Sequence, residues 1–161
     1  AFHRFLNAVV TDVTEPILEA EGEIHRYVGD EVIVTWPVAR GVAGAACLRC
    51  AFAMQDALAA RADWYEDAFG TRPRLRVALH GGPVVTGEMG DVRREIVFLG
   101  DTVNTTARLE SATRELGHSV LLSAALAERL PPAAGLRVIP AGAVEARGKS
   151  APVPIMAAEA I

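Results

Sequence analysis

In Glu23-Ile24-His25-Arg26-Tyr27-Val28-Gly29-Asp30-Glu31-Val32-Ile33-Val34-Thr35-Trp36, two strand-like runs flank a Gly-Asp pair. β-Branched and aromatic residues favour the pleated sheet, and Gly-Asp between such runs is tight-turn chemistry. The stretch predicts a β-hairpin with Asp30 on its turn. Upstream, Phe2, Phe5, Leu6, Val9, Val10, Val13, Ile17 and Leu18 recur at helical spacing. They predict an amphipathic helix that ends near Glu21-Gly22, with Pro16 able to kink its last turn. Downstream, a long helix is predicted over 43–69, with Leu48, Phe52, Leu58 and Trp64 among its apolar positions. Gly70 and Pro73 stop it.

The second half continues the alternation. Strands are predicted at 75–79, 84–86 and 94–99, and a capped helix starts at Gly100-Asp101-Thr102 and runs to Leu116. A short strand at 119–122 leads to Ser123, which caps a short helix ending before Pro131-Pro132. Three strand candidates follow, around Val138, Val144 and Ile155. Helices separated by strand pairs predict an α/β (α+β) sandwich, a mixed sheet with helices packed on it. With no internal repeat and no long linker, residues 1–161 read as a single domain.

Composition narrows the function classes. At 161 residues, with 51 % hydrophobic and 22 % charged residues, the chain reads as globular and able to bury a core. A net charge of −4 gives no basic field for nucleic acid, so an anionic ligand needs local positive charge or metal ions. No run of about 18 apolar residues predicts a membrane span, so no membrane contact is expected of this segment. Cys47 and Cys50 form one C-x-x-C within a predicted alanine-rich helix, and no second pair completes a zinc site. They read as core residues in a reducing, cytoplasmic setting. His3, His25, His80 and His118 lack paired spacing and read as structural or exposed. Gly142 to Ser150 is not a P-loop: five residues separate the glycines, and Pro152 and Pro154 deny the helix such a loop must open.

Four segments point to one chemistry. They are Arg26-Tyr27-Val28-Gly29-Asp30-Glu31, Leu79-His80-Gly81-Gly82-Pro83-Val84-Val85, Gly100-Asp101-Thr102-Val103-Asn104-Thr105-Thr106-Ala107-Arg108-Leu109-Glu110-Ser111, and Gly148-Lys149-Ser150. In that order, across nearly the whole chain, they resemble the motifs of the class III adenylate and guanylate cyclase catalytic domain. The third is the most specific; a lone Gly-Asp is common turn chemistry. The resemblance implies a ferredoxin-like mixed sheet and conversion of a nucleoside triphosphate, ATP on family frequency, into 3′,5′-cyclic monophosphate and pyrophosphate. It implies two Mg²⁺ or Mn²⁺ ions per site, with Asp30 as a metal ligand, since such hard cations take carboxylate and phosphate oxygens. It implies Asn104 orienting the ribose and Arg108 stabilising charge at the α-phosphate. Those two residues are four apart and share a helix face. It further implies Lys149 at the terminal phosphates, Arg26 and Val97 at the base, and a homodimer with shared sites. An exposed polar helix face and a solvated hairpin lysine are the ordinary alternatives for Asn104, Arg108 and Lys149.

The sequence departs from the family at two places. Family members carry a second metal-binding aspartate on a strand before the first helix. This chain begins at or inside that helix, so its first strand is expected to be lacking, and Asp12 lies in the wrong context to substitute. At the base-selecting positions, adenine-specific members carry lysine, and aspartate or threonine; here Arg26 can donate to a purine and Val97 offers no hydrogen bond. Guanylate-specific members place glutamate and cysteine there, and that pair is absent too. Two further readings compete: a catalytically inactive cyclase-like dimerisation or nucleotide-binding module, and a diguanylate cyclase. The second rests on Val28-Gly29-Asp30-Glu31-Val32 and has no counterpart for Asn104 and Arg108. The expected setting is cytoplasmic, including as the intracellular domain of a larger, membrane-attached protein.

Overall fold

The computed structural model describes residues 2–28, 30–82, 85–89, 95–99, 101–146 and 151–161. The chain forms two compact units, Ala1–Leu75 and Arg76–Ile161.

The first unit opens with α1, Phe2–Glu19, which runs through Pro16 and buries Val13 and Ile17. A left-handed Glu21 (φ 62°) then reverses the chain at Gly22. A Cβ on Gly22 would meet Val34 at 2.8 Å, Trp36 at 3.0 Å and Ile17 at 3.1 Å, so the close approach of helix and hairpin requires glycine here. The Trp36 indole N–H donates to the Ala20 carbonyl at 2.9 Å, fixing the same junction. Strands β1, Glu23–Val28, and β2, Glu31–Thr35, pair antiparallel, with Val28 opposite Glu31 and a register shift between Ile24 and Arg26.

The long helix predicted over 43–69 is divided. A short α2, Val38–Val42, passes through a 3₁₀ turn, Ala43–Ala45, into α3, Ala46–Ala60, and then α4, Ala62–Phe69. Gly44 and Ala45 are left-handed (φ 59° and 57°), and Arg61 leaves helical geometry between α3 and α4. Periodicity does not reveal such breaks, because the apolar face continues across them. α3 buries Cys47, Leu48, Cys50, Ala51, Met54 and Leu58 and packs on α1. Gly70, left-handed at φ 73°, ends α4 as predicted.

A polar cluster ties α1 to the α3–α4 junction. The Asp12 carboxylate, 10 % exposed, accepts from Arg61 at 2.6 Å and from the hydroxyl of fully buried Tyr65 at 2.5 Å. Burial, then the Asp12 hydrogen bond, raise the Tyr65 pKa, so its phenol stays protonated and keeps donating. The Arg61 guanidinium lies 4.0 Å from the Trp64 ring centroid, a cation–π contact. Phe5 and Phe69 close the aromatic group around Tyr65.

The second unit is built on a four-stranded mixed sheet, in the order β3-β6-β8-β7. Its strands are β3, Val77–Leu79, β6, Val120–Ser123, β7, Leu136–Val144, and β8, Val153–Ala160. β3 runs parallel to β6, and β8 is antiparallel to both β6 and β7. A separate antiparallel pair joins β4, Val85–Met89, to β5, Glu95–Leu99. The mixed α/β class follows as predicted, but the tail holds two strands instead of three. The candidates around Val138 and Val144 are one strand with an irregularity between Pro140 and Ala143, where Pro140 cannot donate and Gly142 takes φ 97°.

Two helices pack here. α5, Asp101–Leu116, lies against β3, β6 and β7, and α6, Ala124–Arg129, against β6 and β8. Leu109 and Ala112 enter a core with Leu121, Val144, Ile155 and Ala157. Ser123 caps α6 as predicted, its hydroxyl accepting from the Leu126 N–H at 3.3 Å.

Two packing predictions follow. Asp12→Ala leaves the buried Tyr65 hydroxyl and Arg61 without their acceptor and should cost about 2–4 kcal/mol. Asp12→Asn, which still accepts hydrogen bonds, should cost less; urea unfolding midpoints test the order. A Cβ on Gly82 would stand 2.7 Å from the Thr102 hydroxyl at the start of α5. Gly82→Ala should therefore destabilise by about 1–3 kcal/mol. The same step in a Thr102→Ala background should cost much less, a coupling read from the double-mutant cycle.

Candidate functional site

Asp30 sits at the β1–β2 turn, exposed, in the first unit. Two short strands paired on either side limit its backbone, so an acidic oxygen is presented from a fixed point without packing obligations. Such a hard oxygen fits magnesium or manganese, and as one carboxylate it supplies part of a coordination shell. Arg26 lies on β1 opposite Ile33. Its side chain is outside the described residues.

In the second unit, Val97 occupies β5 opposite Gly87. Its side chain likewise falls outside the described residues, and Lys149 lies wholly outside them, in the stretch joining β7 to β8. Asn104 and Arg108 are both on α5, Asn104 exposed and Arg108 half-buried. At about 100° per residue they stand roughly 40° apart around the axis. Thr102, Thr105, Leu109, Ala112 and Thr113 fill the buried side. The pair therefore lies on the flank where the buried face meets solvent. The Thr106 hydroxyl donates to the Thr102 carbonyl at 2.7 Å, tightening the first turn beneath them.

The Arg108 guanidinium is only partly satisfied. Its Nη2 reaches Glu115 Oε2 at 3.4 Å, whereas Nη1 is buried with no hydrogen-bond partner among the described residues. A buried N–H without an acceptor is costly, and an anion beside it would remove that cost. Glu115 carries no motif, and sequence reading missed it; the signal is its spacing, seven residues or about two turns beyond Arg108.

Other reactive groups are occupied or shielded. The Asp12 carboxylate is engaged by Arg61 and Tyr65. Cys47 and Cys50 are free and buried. Burial pushes Cys50 up to about 11, with Cys47 adding to it, and burial also raises Cys47, so both stay thiols at neutral pH. His80 Nδ1 is 2.7 Å from the Ser123 hydroxyl, and His25 Nε2 bonds the Thr35 hydroxyl, both structural uses.

Known proteins share these features of sequence and fold. The family model described as the adenylate and guanylate cyclase catalytic domain matches residues 1–156. The chain is 43 % identical to Adenylate cyclase 2 of Rhizobium meliloti (strain 1021), over 90 % of this chain and 40 % of that protein. It is 31 % identical to an Adenylate cyclase of Anabaena cylindrica, over 94 % of this chain and 31 % of the relative. It thus spans less than half the length of these relatives. Among solved structures, the adenylyl cyclase CyaB from P. aeruginosa superimposes with TM-score 0.80 at 23 % identity, covering 99 % of this chain and 82 % of that one. The guanylyl cyclase Cya2 superimposes with TM-score 0.74 at 22 % identity, covering 99 % and 81 %. A family match over residues 1–156, nearly the whole chain, assigns it to the class III adenylate and guanylate cyclase catalytic domain family.

Proposed function

We propose that this chain is the catalytic domain, formed by both units together, of a nucleotide cyclase that converts ATP into 3′,5′-cyclic AMP and pyrophosphate. The observation that carries this reading is the placement of Asn104 and Arg108 on the flank of α5 where its buried face meets solvent, with Arg108 Nη1 lacking an acceptor among the described residues. The 43 % identical relative is named an adenylate cyclase, which supports ATP.

In the reaction, the ribose 3′-oxygen loses its proton and bonds to the α-phosphorus as the bond to the leaving pyrophosphate breaks. Divalent metal ions, Mg²⁺ or Mn²⁺, supply charge stabilisation for the attacking and leaving oxygens when bound. Asp30, an exposed carboxylate on the hairpin turn, would supply part of their coordination. Asn104 would hold the ribose, and Arg108 would meet the charge that grows on the α-phosphate oxygens. Lys149 would bind the terminal phosphates, and Arg26 would donate to the base beside Val97. Once the nucleotide holds it, the guanidinium would be in place before charge develops and need not reorganise during the chemical step. A supply of ATP puts the working site in the cytoplasm.

The test uses the full-length protein that carries this domain. ATP turnover should require Mg²⁺ or Mn²⁺, and Asp30→Ala should abolish it while circular dichroism stays at wild type. Unchanged turnover in a folded Asp30→Ala protein would remove the metal assignment.

The proposed homodimer makes a sharper prediction. If Asp30 of one subunit and Arg108 of the other serve one substrate, neither Asp30→Ala nor Arg108→Ala homodimers should turn over. Co-expression gives about half heterodimers, each with one intact site of two, so roughly a quarter of wild-type activity should return. No recovery despite heterodimers isolated with two tags would refute the shared site and favour a nucleotide-binding module.

A further inference from the structure

Arg108 and Glu115 are an unusual pair. Helical ion pairs normally join residues three or four apart, as Arg114 and Glu110 do at 2.7 Å on the same helix. Arg108 instead reaches a carboxylate seven residues on, about 10 Å farther along the axis. The geometry permits this because seven residues return to within about 20° of the same azimuth. Asn104 lies one turn to the other side of Arg108. The contact with Glu115 therefore draws the guanidinium away from Asn104.

The contact is also weak. At 3.4 Å, with Arg108 34 % and Glu115 59 % exposed, it is longer than a strong charge-assisted bond and open to solvent. It engages Nη2 and leaves buried Nη1 without an acceptor among the described residues. A phosphate offers several oxygens and can take both nitrogens, so it outcompetes such a carboxylate while still having to displace it.

From this we infer that Glu115 is a positioning residue that competes with substrate phosphate for Arg108, holding the guanidinium toward the C-terminal end of α5 until the nucleotide takes it. The inference rests on the reading of Arg108 as a phosphate-binding residue. It gives the domain an internal brake on substrate affinity: Glu115 opposes nucleotide binding without taking part in the chemistry.

Binding and turnover distinguish the two claims. In the full-length protein, Glu115→Gln should lower KM for ATP about two- to fivefold with kcat unchanged, the range of a partly exposed ion pair. It should tighten binding of the non-cyclisable analogue α,β-methylene-ATP with Mg²⁺ by the same factor, measured calorimetrically. Glu115→Asp keeps the charge but shortens the reach, and should shift binding in the same direction. In an Arg108→Ala background, Glu115→Gln should change nothing. The inference is overturned if Glu115→Gln leaves analogue binding unchanged, if kcat falls instead, or if the gain persists without Arg108, which would mean general charge repulsion. A wild-type protein that binds the analogue and obeys this cycle, yet turns over neither ATP nor GTP, would refute the cyclase reading and leave the Glu115 assignment standing. Absence of analogue binding in the wild type would overturn both.

Discussion

The seating of α5 on the mixed sheet is the constraint from which the placement of Asn104 and Arg108 follows. Leu109 and Ala112 are fully buried with Leu121, Val144, Ile155 and Ala157. Each large aliphatic side chain so buried contributes about 1.5–3 kcal/mol. That face cannot rotate outward without exposing several of them at once. Once it is fixed, the helical repeat fixes the flank, and Asn104, Arg108 and Glu115 all fall within about 40° of one another on it. Polar groups on the buried side mark the cost. The Thr113 hydroxyl is satisfied by the Glu110 carbonyl at 2.6 Å, whereas Thr105 Oγ1 is buried with no partner among the described residues.

The first unit presents Asp30 by a similar economy of constraint. The hairpin is held at its base, where Gly22 permits Ile17, Val34 and Trp36 to converge. Asp30, at its far end, is left exposed. The Asp12, Arg61 and Tyr65 cluster then locks α1 to the break between α3 and α4. The carboxylate of α1 is thus structural, and the carboxylate of the turn has no packing role. Burial separates two aspartates that composition would count alike.

Much of this was legible in the sequence because local chemistry and tertiary structure agree. Gly29-Asp30 between strand-forming runs, Ser123 before a short apolar helix and Gly70 after α4 all act through their immediate neighbours, and the hairpin and both helix ends lie where they were expected. The breaks at Ala45 and Arg61 were not legible, since the apolar spacing runs on across both. The single long β7 was hidden by Pro140 and Gly142, which read locally as a strand boundary but are absorbed as an irregularity by pairing with β8. In the site, the positions of Asp30, Asn104 and Arg108 could be read from motif spacing. The partner of Arg108 could not, because an interaction two turns long has no signature in the usual helical pairing rules.

Electrostatics ties the site to the whole chain. A chain of net charge −4 does not attract a polyanion by its overall field, so recognition must come from cations not already neutralised nearby. Most described ion pairs are tight: Arg61 with Asp12 at 2.6 Å, Arg137 with Glu159 at 2.6 Å, Arg114 with Glu110 at 2.7 Å and Arg72 with Asp63 at 3.0 Å. Among these arginines, Arg108 alone has no carboxylate nearer than 3.4 Å, and it alone keeps a buried nitrogen without an acceptor. The arginine that the family resemblance implies at the α-phosphate is thus also the one of these whose present partner is held most loosely. Sequence and electrostatics are independent routes to the same side chain, and their convergence there is what the proposed role, a cation held in place without being satisfied, would require.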